Sequence, residues 1–368
     1  MVLDKTPLPD EIKFTIPGFI SNMFYTLDPK RHYVRTLMMP EDFSINMEKA
    51  VIGVQGIRGK RKLYQIGKKF GYRFSLMNRF PKGNISNAAL HSIYQFFEMA
   101  YAKKMYTYKL DAENKFLETY GEDVAIISSG EDVGYSMDIG GWCGIWCYLN
   151  NDYTLETCSK KISKDTYLLV SGSRKDLKEK GFEVIEGSDF PELVDINEYI
   201  KINKSQMVSS RSIASFDELF NRNLSYSPGK ILMRDSGERI IPTEISWLFD
   251  LEKDIDEKVI YDASYVPFYS IGMSLRRKTD PNRFLEDLFT GFGFGVVGVV
   301  GLSDSHSEIT FTGYPWFTDR SEKSSFAYIR GAVVGLLNGA TGRNYRVSSH
   351  SAKLDGNVFT VTLDVEGR

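Results

Sequence analysis

The chain has 368 residues, of which 42% are hydrophobic and 26% charged, and its formal net charge is −2. That length and balance fit a folded protein of two domains and exclude a wholly disordered chain. Three cysteines, all between Cys143 and Cys158, exclude a disulfide framework and set the cytoplasm as the expected location.

The opening MVLDKTPLPDEIKF lacks the apolar run of a signal peptide. YVRTLMMPEDFSINMEKAV, from Tyr33, reads as a short strand, a turn, a second short segment and a helix. Charge is uneven: residues 1–110 hold 18 Lys+Arg against 8 Asp+Glu, a surplus of +10. The densest run, Gly56–Phe74, has seven basic residues and no acid. It reads either as a solvated helix face or as a site for phosphate, nucleic acid or an anionic membrane. Its cations are Arg58, Lys60, Arg61, Lys62, Lys68, Lys69 and Arg73. SNAALHSIYQFFEMAYAKKMY reads as an amphipathic helix capped by Ser86 or Asn87, with His91 a structural histidine.

Gly140–Cys158 reads as a helix followed by a strand. Residues 173–207 are a charged connector with a strand-like Phe182–Ile185. Gly291–Leu302, GFGFGVVGVVGL, is too short and too glycine-rich for a membrane helix and reads as a buried strand or packed turn.

The chain repeats itself. Tyr64-x-Ile66-Gly67 matches Tyr269-x-Ile271-Gly272, each opening a helical segment. DIGGWCGIWCYLNNDYTLETC matches YIRGAVVGLLNGATGRNYRVSSH, so Ile139 falls on Ile329, Gly141 on Gly331 and Cys158 on His350. Both stretches read helix–strand–turn–strand. ILMRDSGERIIPTEISWL parallels the segment from Tyr33. On this alignment Cys143 and Cys147 share a helix face and fall on Val333 and Leu337, which marks them as packing positions.

The Tyr-x-Ile-Gly helix starts, the Gly291–Gly295 run and the terminal blocks LETCSKKISKDTYLLV and VSSHSAKLDGNVFTV give each copy a resemblance to the 4-vinyl reductase domain. That domain is a ligand-binding relative of the TRAPP-like fold. The resemblance implies an α+β fold present twice, each copy a small twisted antiparallel sheet packed by helices. The boundaries are 1–172 and 208–368, with residues 173–207 as connector. It also implies an internal pseudo-dimer, and a homodimer of the whole chain stays open. Zinc-binding members use cysteines in the terminal block. Here only Cys158 and His350 remain, with Thr166 and Val358 near the second position, so these are vestigial positions and no zinc or other cofactor is expected. A metal would need Glu156, His306 or another distant partner.

No phosphate loop, His-Glu-x-x-His, Gly-x-Ser-x-Gly or dinucleotide fingerprint is present. The reading leans away from an enzyme. Aromatic residues cluster beside the glycine-rich elements, as core or as the walls of an apolar pocket. The candidate pocket residues are Tyr64, Phe74, Trp142, Trp146, Tyr269, Phe292, Phe294 and Trp316. The expected function is binding or sensing of a small hydrophobic or aromatic molecule without membrane insertion. The alternatives are a nucleic-acid or polyanion binder using residues 56–74 and an assembly scaffold with a protein partner.

Overall fold

Alternating apolar residues at Tyr33–Pro40 form a strand that ends on proline, and Glu41 and Asp42 follow at the positive end of a helix. The structure, a computed structural model, describes residues 17–23, 33–78, 80–83, 85–101, 104–122, 136–163, 166–185, 216–227, 230–276, 280–301, 306–315, 324–356 and 358–367. The first half contains β1 (Ile20–Met23), β2 (Tyr33–Pro40), α1 (Glu41–Gln55), α2 (Ile57–Met77) and α3 (Asn87–Tyr101). It continues with β3 (Lys104–Asp111), β4 (Phe116–Glu122), α4 (Ser136–Asn150), β5 (Glu156–Lys161), β6 (Thr166–Gly172) and α5 (Arg174–Glu179). The second contains α6 (Phe216–Asn223), β7 (Leu224–Ser227), β8 (Lys230–Met233), β9 (Arg239–Glu244), α7 (Ile245–Asp254) and α8 (Glu257–Leu275). It ends with α9 (Pro281–Gly291), β10 (Val296–Val300), β11 (Ser307–Thr312), α10 (Ala327–Thr341), β12 (Tyr345–Asp355) and β13 (Val358–Gly367).

The architecture mixes helices with small antiparallel sheets. One four-stranded sheet has the order β3-β4-β6-β5 and another β10-β11-β13-β12. In each, a helix separates the first two strands from the last two, and both terminal stretches fold as helix–strand–turn–strand. A third sheet, β1-β2-β9-β8-β7, takes strands from both halves. Its centre is the antiparallel pair β2–β9, where Met38 lies opposite Pro242, Thr36 opposite Glu244 and Pro40 opposite Ile240. A shift along the chain that carries Pro40 onto Glu244 also carries Met38 onto Pro242 and Thr36 onto Ile240. Met38 therefore pairs with its own equivalent, as an isologous two-fold contact requires. The same shift carries Phe43 onto Trp247, and these rings meet edge to face at 5.9 Å.

Each half contains a helix pair in backbone contact. On α2 and α4, a Cβ added at Gly140 or Gly144 would overlap the carbonyl oxygen of Tyr64 or Lys68. On α8 and α10, a Cβ at Gly331 or Gly335 would overlap that of Tyr261 or Tyr265. Glu48 holds the Met137 N–H and Glu252 the Tyr328 N–H, which matches the starts of α4 and α10. With that register Gly140 falls in the place of Gly331 and Tyr64 in the place of Tyr261, two turns before Tyr269, although Gly339 meets the Tyr269 carbonyl in the same way. The sequence alignment at Tyr-x-Ile-Gly is thus displaced along the helix. Glu156 opposes Gly172 where β5 begins, and Tyr345 opposes Gly367 where β12 begins. Cys158 stands two residues beyond its pair and His350 five beyond its own, after a bulge.

Two buried cations tie the halves together. The Arg35 guanidinium donates to the carbonyls of Gly18 (2.9 Å), Gly293 (3.1 Å) and Gly313 (2.6 Å). Arg73 on α2 donates to Asp250 on α7 at 2.5 Å and to the Ser246 carbonyl at 3.2 Å, with Lys69 3.4 Å from Asp250. The connector is described as far as Ile185. Its Phe182–Ile185 segment pairs with no strand and instead packs against Phe116, Cys158, Val170 and Leu177. Among the described residues no helix is long and apolar enough to cross a membrane.

Candidate functional site

A cavity of about 90 Å³ lies where α1, α2, α3 and α4 face β6 of the first half and β9 and α7 of the second. Phe70, Phe74, Phe97, Trp142 and Trp247 form its aromatic wall. Phe74 and Phe97 stack with ring centroids 5.9 Å apart, and Trp142 meets Phe97 edge to face at 6.2 Å. Besides Asp138 and Thr243, three polar groups break the apolar lining. The indole N–H of Trp142 and the hydroxyl of Ser44 are buried and meet no hydrogen-bond partner among the described residues. A buried polar group without a partner is costly, so both are prepared for a guest.

Glu48 is the third. Its carboxylate accepts from the backbone N–H of Ser136 (2.9 Å) and Met137 (3.0 Å), the open end of α4. Burial pushes its carboxyl up to about 7, against the lowering effect of those two donors and of Lys60. Glu48 therefore sits near half-protonation at neutral pH, able to offer or accept a hydrogen bond.

Of the pocket residues expected from sequence, Phe74 and Trp142 line this cavity. The others do not. Tyr64 is fully buried in a polar cluster, where its hydroxyl donates to Glu156 (2.8 Å) and accepts from Thr157 N–H (3.0 Å). Trp146 is core, its N–H spent on the Lys115 carbonyl. Phe292 and Phe294 are fully buried, and Phe294 is packed by Phe289, Tyr314 and Tyr328, which fill the second half's interior. Tyr269 is 38% exposed and stacks on Tyr265. Trp316 lies outside the described residues. Glu48, Ser44 and Trp247 were missed. A lone glutamate in the apolar face of FSINMEKAV was the only signal that pointed to any of them.

The seven cations divide. Lys68 is held by Glu156 (3.1 Å) and the Leu155 carbonyl (2.9 Å). Lys69 and Arg73 are buried against Asp250. These three are consumed internally and form no anion-binding surface. Arg58 and Arg61 are exposed, and Lys60 and Lys62 half-buried.

Cys143, Cys147 and Cys158 are free and buried. Cys143 and Cys147 face the Leu155 carbonyl at 3.4 and 3.5 Å. Cys158 approaches the Glu183 carbonyl at 3.3 Å, and His350 is exposed on β12 beside Phe326. Cys158 opposes Val170 on β6, and His350 opposes Leu363 on β13. Among the described residues no group of three or more His, Cys, Asp or Glu is placed to hold a metal ion.

The chain matches no protein-family model, and no curated protein matches it.

Proposed function

We propose that the chain is a non-enzymatic binding protein for a small apolar or aromatic molecule, and that the cavity beside Trp142 is its site. The observation that carries this reading is the pairing of an aromatic wall with two buried polar groups, Trp142 Nε1 and Ser44 Oγ, that no described residue satisfies. Ligand sites combine these features: apolar walls for affinity and a few placed polar groups for orientation. The volume is below the roughly 150 Å³ of an engineered cavity that holds benzene, so the guest is one ring or smaller. Trp142 asks for an acceptor, which makes a carbonyl or phenolic oxygen the fitting group.

The reading of two 4-vinyl-reductase-like copies fused as an internal pseudo-dimer belongs to the same proposal. It is supported by the repeated strand order, the matched glycine contacts and the Met38–Pro242 pair. On this reading the rings of Phe289, Phe294, Tyr314 and Tyr328 pack the interior of the second copy, while the first copy's cavity is the site. Trp247 and Pro242 of the second copy help close it, so a guest would bridge both.

The test is native mass spectrometry of the purified chain, then thermal-shift titration with phenol and benzaldehyde. A retained mass, or a rise of a few degrees at saturating ligand, supports the reading. The rise must be lost in Trp142→Phe. No retained mass and no shift with any probe overturns it.

A further inference from the structure

Residues 53–57 form a corner that the other half does not build. α1 runs for 15 residues before turning into α2, whereas its equivalent α7 runs for 10 before α8. The extra length pushes Val54 and Ile57 into solvent, 82% and 52% exposed. The flanking Gly53 and Gly56 have open space where a side chain would stand. At the other half's corner Ile255 is buried and Asp256 caps the next helix.

Arg58, Lys60, Arg61 and Lys62 follow directly, in the first two turns of α2. A helix N-terminus is its positive end, so cations there are unfavourable unless an anion meets them. The first turn of α2 holds no acid, and among the described residues none of the four forms an ion pair. Of the four, only Lys60 also feels the buried Glu48. Exposed aliphatic side chains and cations without a salt-bridge partner are each a cost in water. Here they coincide on a protruding corner.

We propose that this corner docks onto an anionic lipid surface. Val54 and Ile57 enter the boundary between headgroups and acyl chains, and the four cations meet lipid phosphates and carboxylates. The same cations could meet a nucleic acid, but the side chains decide against it. Strand binding without base readout relies on aromatic stacking. Tyr64, Tyr72 and Phe74 of this helix are buried, and the exposed apolar groups at the corner have no π-face.

The experiment is co-sedimentation of the full chain with vesicles of phosphatidylcholine, with and without phosphatidylserine, across a salt series. Binding is expected only with phosphatidylserine and weakens as salt rises. Arg58→Gln with Arg61→Gln should weaken it roughly 25-fold, about fivefold per cation. Val54→Ser with Ile57→Ser should weaken it roughly tenfold at unchanged melting temperature. Three outcomes each overturn the proposal: no binding to phosphatidylserine vesicles at low salt, equal binding to both vesicles, or a serine variant that binds as well as the native chain. Tighter binding to a single-stranded oligonucleotide, unaffected by the serine changes, also overturns it and assigns the corner to nucleic acid.

Discussion

Glu48 and Glu252 occupy the same place in the two halves and do the same work. Each is the eighth residue of its helix, α1 or α7. Glu48 accepts from Ser136 and Met137 N–H at the start of α4, and Glu252 accepts from Tyr328 N–H at 2.8 Å near the start of α10. A buried carboxylate thus closes the open N–H groups of the central helix in each half. The difference lies around them. Glu48 opens onto a cavity, whereas Glu252 is enclosed and its second oxygen meets no partner among the described residues.

This pair makes stability fall as pH rises. Burial pushes Glu48, Glu244 and Glu252 each up to about 7, and Glu238 up to about 8, above the 4.5 of an ordinary glutamate. The folded chain therefore holds protons that the unfolded chain has released. The stabilisation is complete below the unfolded value and is lost as pH climbs through about 7. Each group is worth on the order of 3 kcal/mol. Denaturant midpoints should decline from about pH 5 to about pH 8, the reverse of ordinary acid denaturation. Glu252→Gln keeps the acceptor for Tyr328 but cannot ionise. It should flatten the decline and be more stable than the native chain at about pH 8. An unchanged slope would remove Glu252 as a source.

Asp250 is the counter-charge on which the contact between halves depends. It is fully buried, with Arg73 and Lys69 both against it. Asp250→Ala removes the anion in direct contact with both buried cations, leaving Glu244 as a counter-charge to Arg73, and should cost about 3–5 kcal/mol in urea unfolding. Arg73→Met with Asp250→Leu should recover much of that loss, because an apolar pair of similar volume escapes the desolvation penalty. Failure of the double variant to recover would mean that Lys69 alone keeps the site charged.

Much of this organisation was legible in the alternating strands, the helical periodicity and the terminal helix–strand–turn–strand pattern. The register between halves was not. Tyr261, Tyr265 and Tyr269 recur every four residues along α8, the spacing at which a helix repeats its contact face. A match of Tyr64 to any of them satisfies the periodicity and the glycine contacts alike, and only the matched helix starts, held by Glu48 and Glu252, choose Tyr261. Cations misled for a related reason. Lys68, Lys69 and Arg73 look like a surface run, but their acids, Glu156 and Asp250, stand far along the chain. The cavity was half visible: Phe74 and Trp142 are conspicuous, whereas Glu48 and Ser44 acquire meaning only when α1 packs beside α4.

Gly144 and Gly53 should respond to alanine in opposite directions. A Cβ at Gly144 would overlap the Lys68 carbonyl and force α2 from α4, so Gly144→Ala should cost more than 3 kcal/mol or prevent folding. Gly53 meets nothing within 4 Å, and Gly53→Ala gains helix propensity of about 0.5–1 kcal/mol. Thermal melts of the two variants check both signs. A neutral Gly144→Ala would mean that the helices stand further apart than described.

Tyr64 and Trp142 separate structure from binding. Both are buried aromatic residues on the paired helices α2 and α4, and both were pocket candidates on sequence grounds. Tyr64→Phe deletes a hydroxyl that serves Glu156 and Thr157, so two buried polar groups lose a partner. It should cost about 1–3 kcal/mol and leave binding of a retained ligand unchanged. Trp142→Phe deletes an N–H that no described residue accepts, so no internal hydrogen bond is lost. It should lose packing area alone and weaken binding by tenfold or more, the worth of one buried hydrogen bond to a guest. Calorimetric titration of both variants beside their melting curves reads the two effects separately. Binding lost in Tyr64→Phe and kept in Trp142→Phe would move the site from the cavity to the Glu156 cluster.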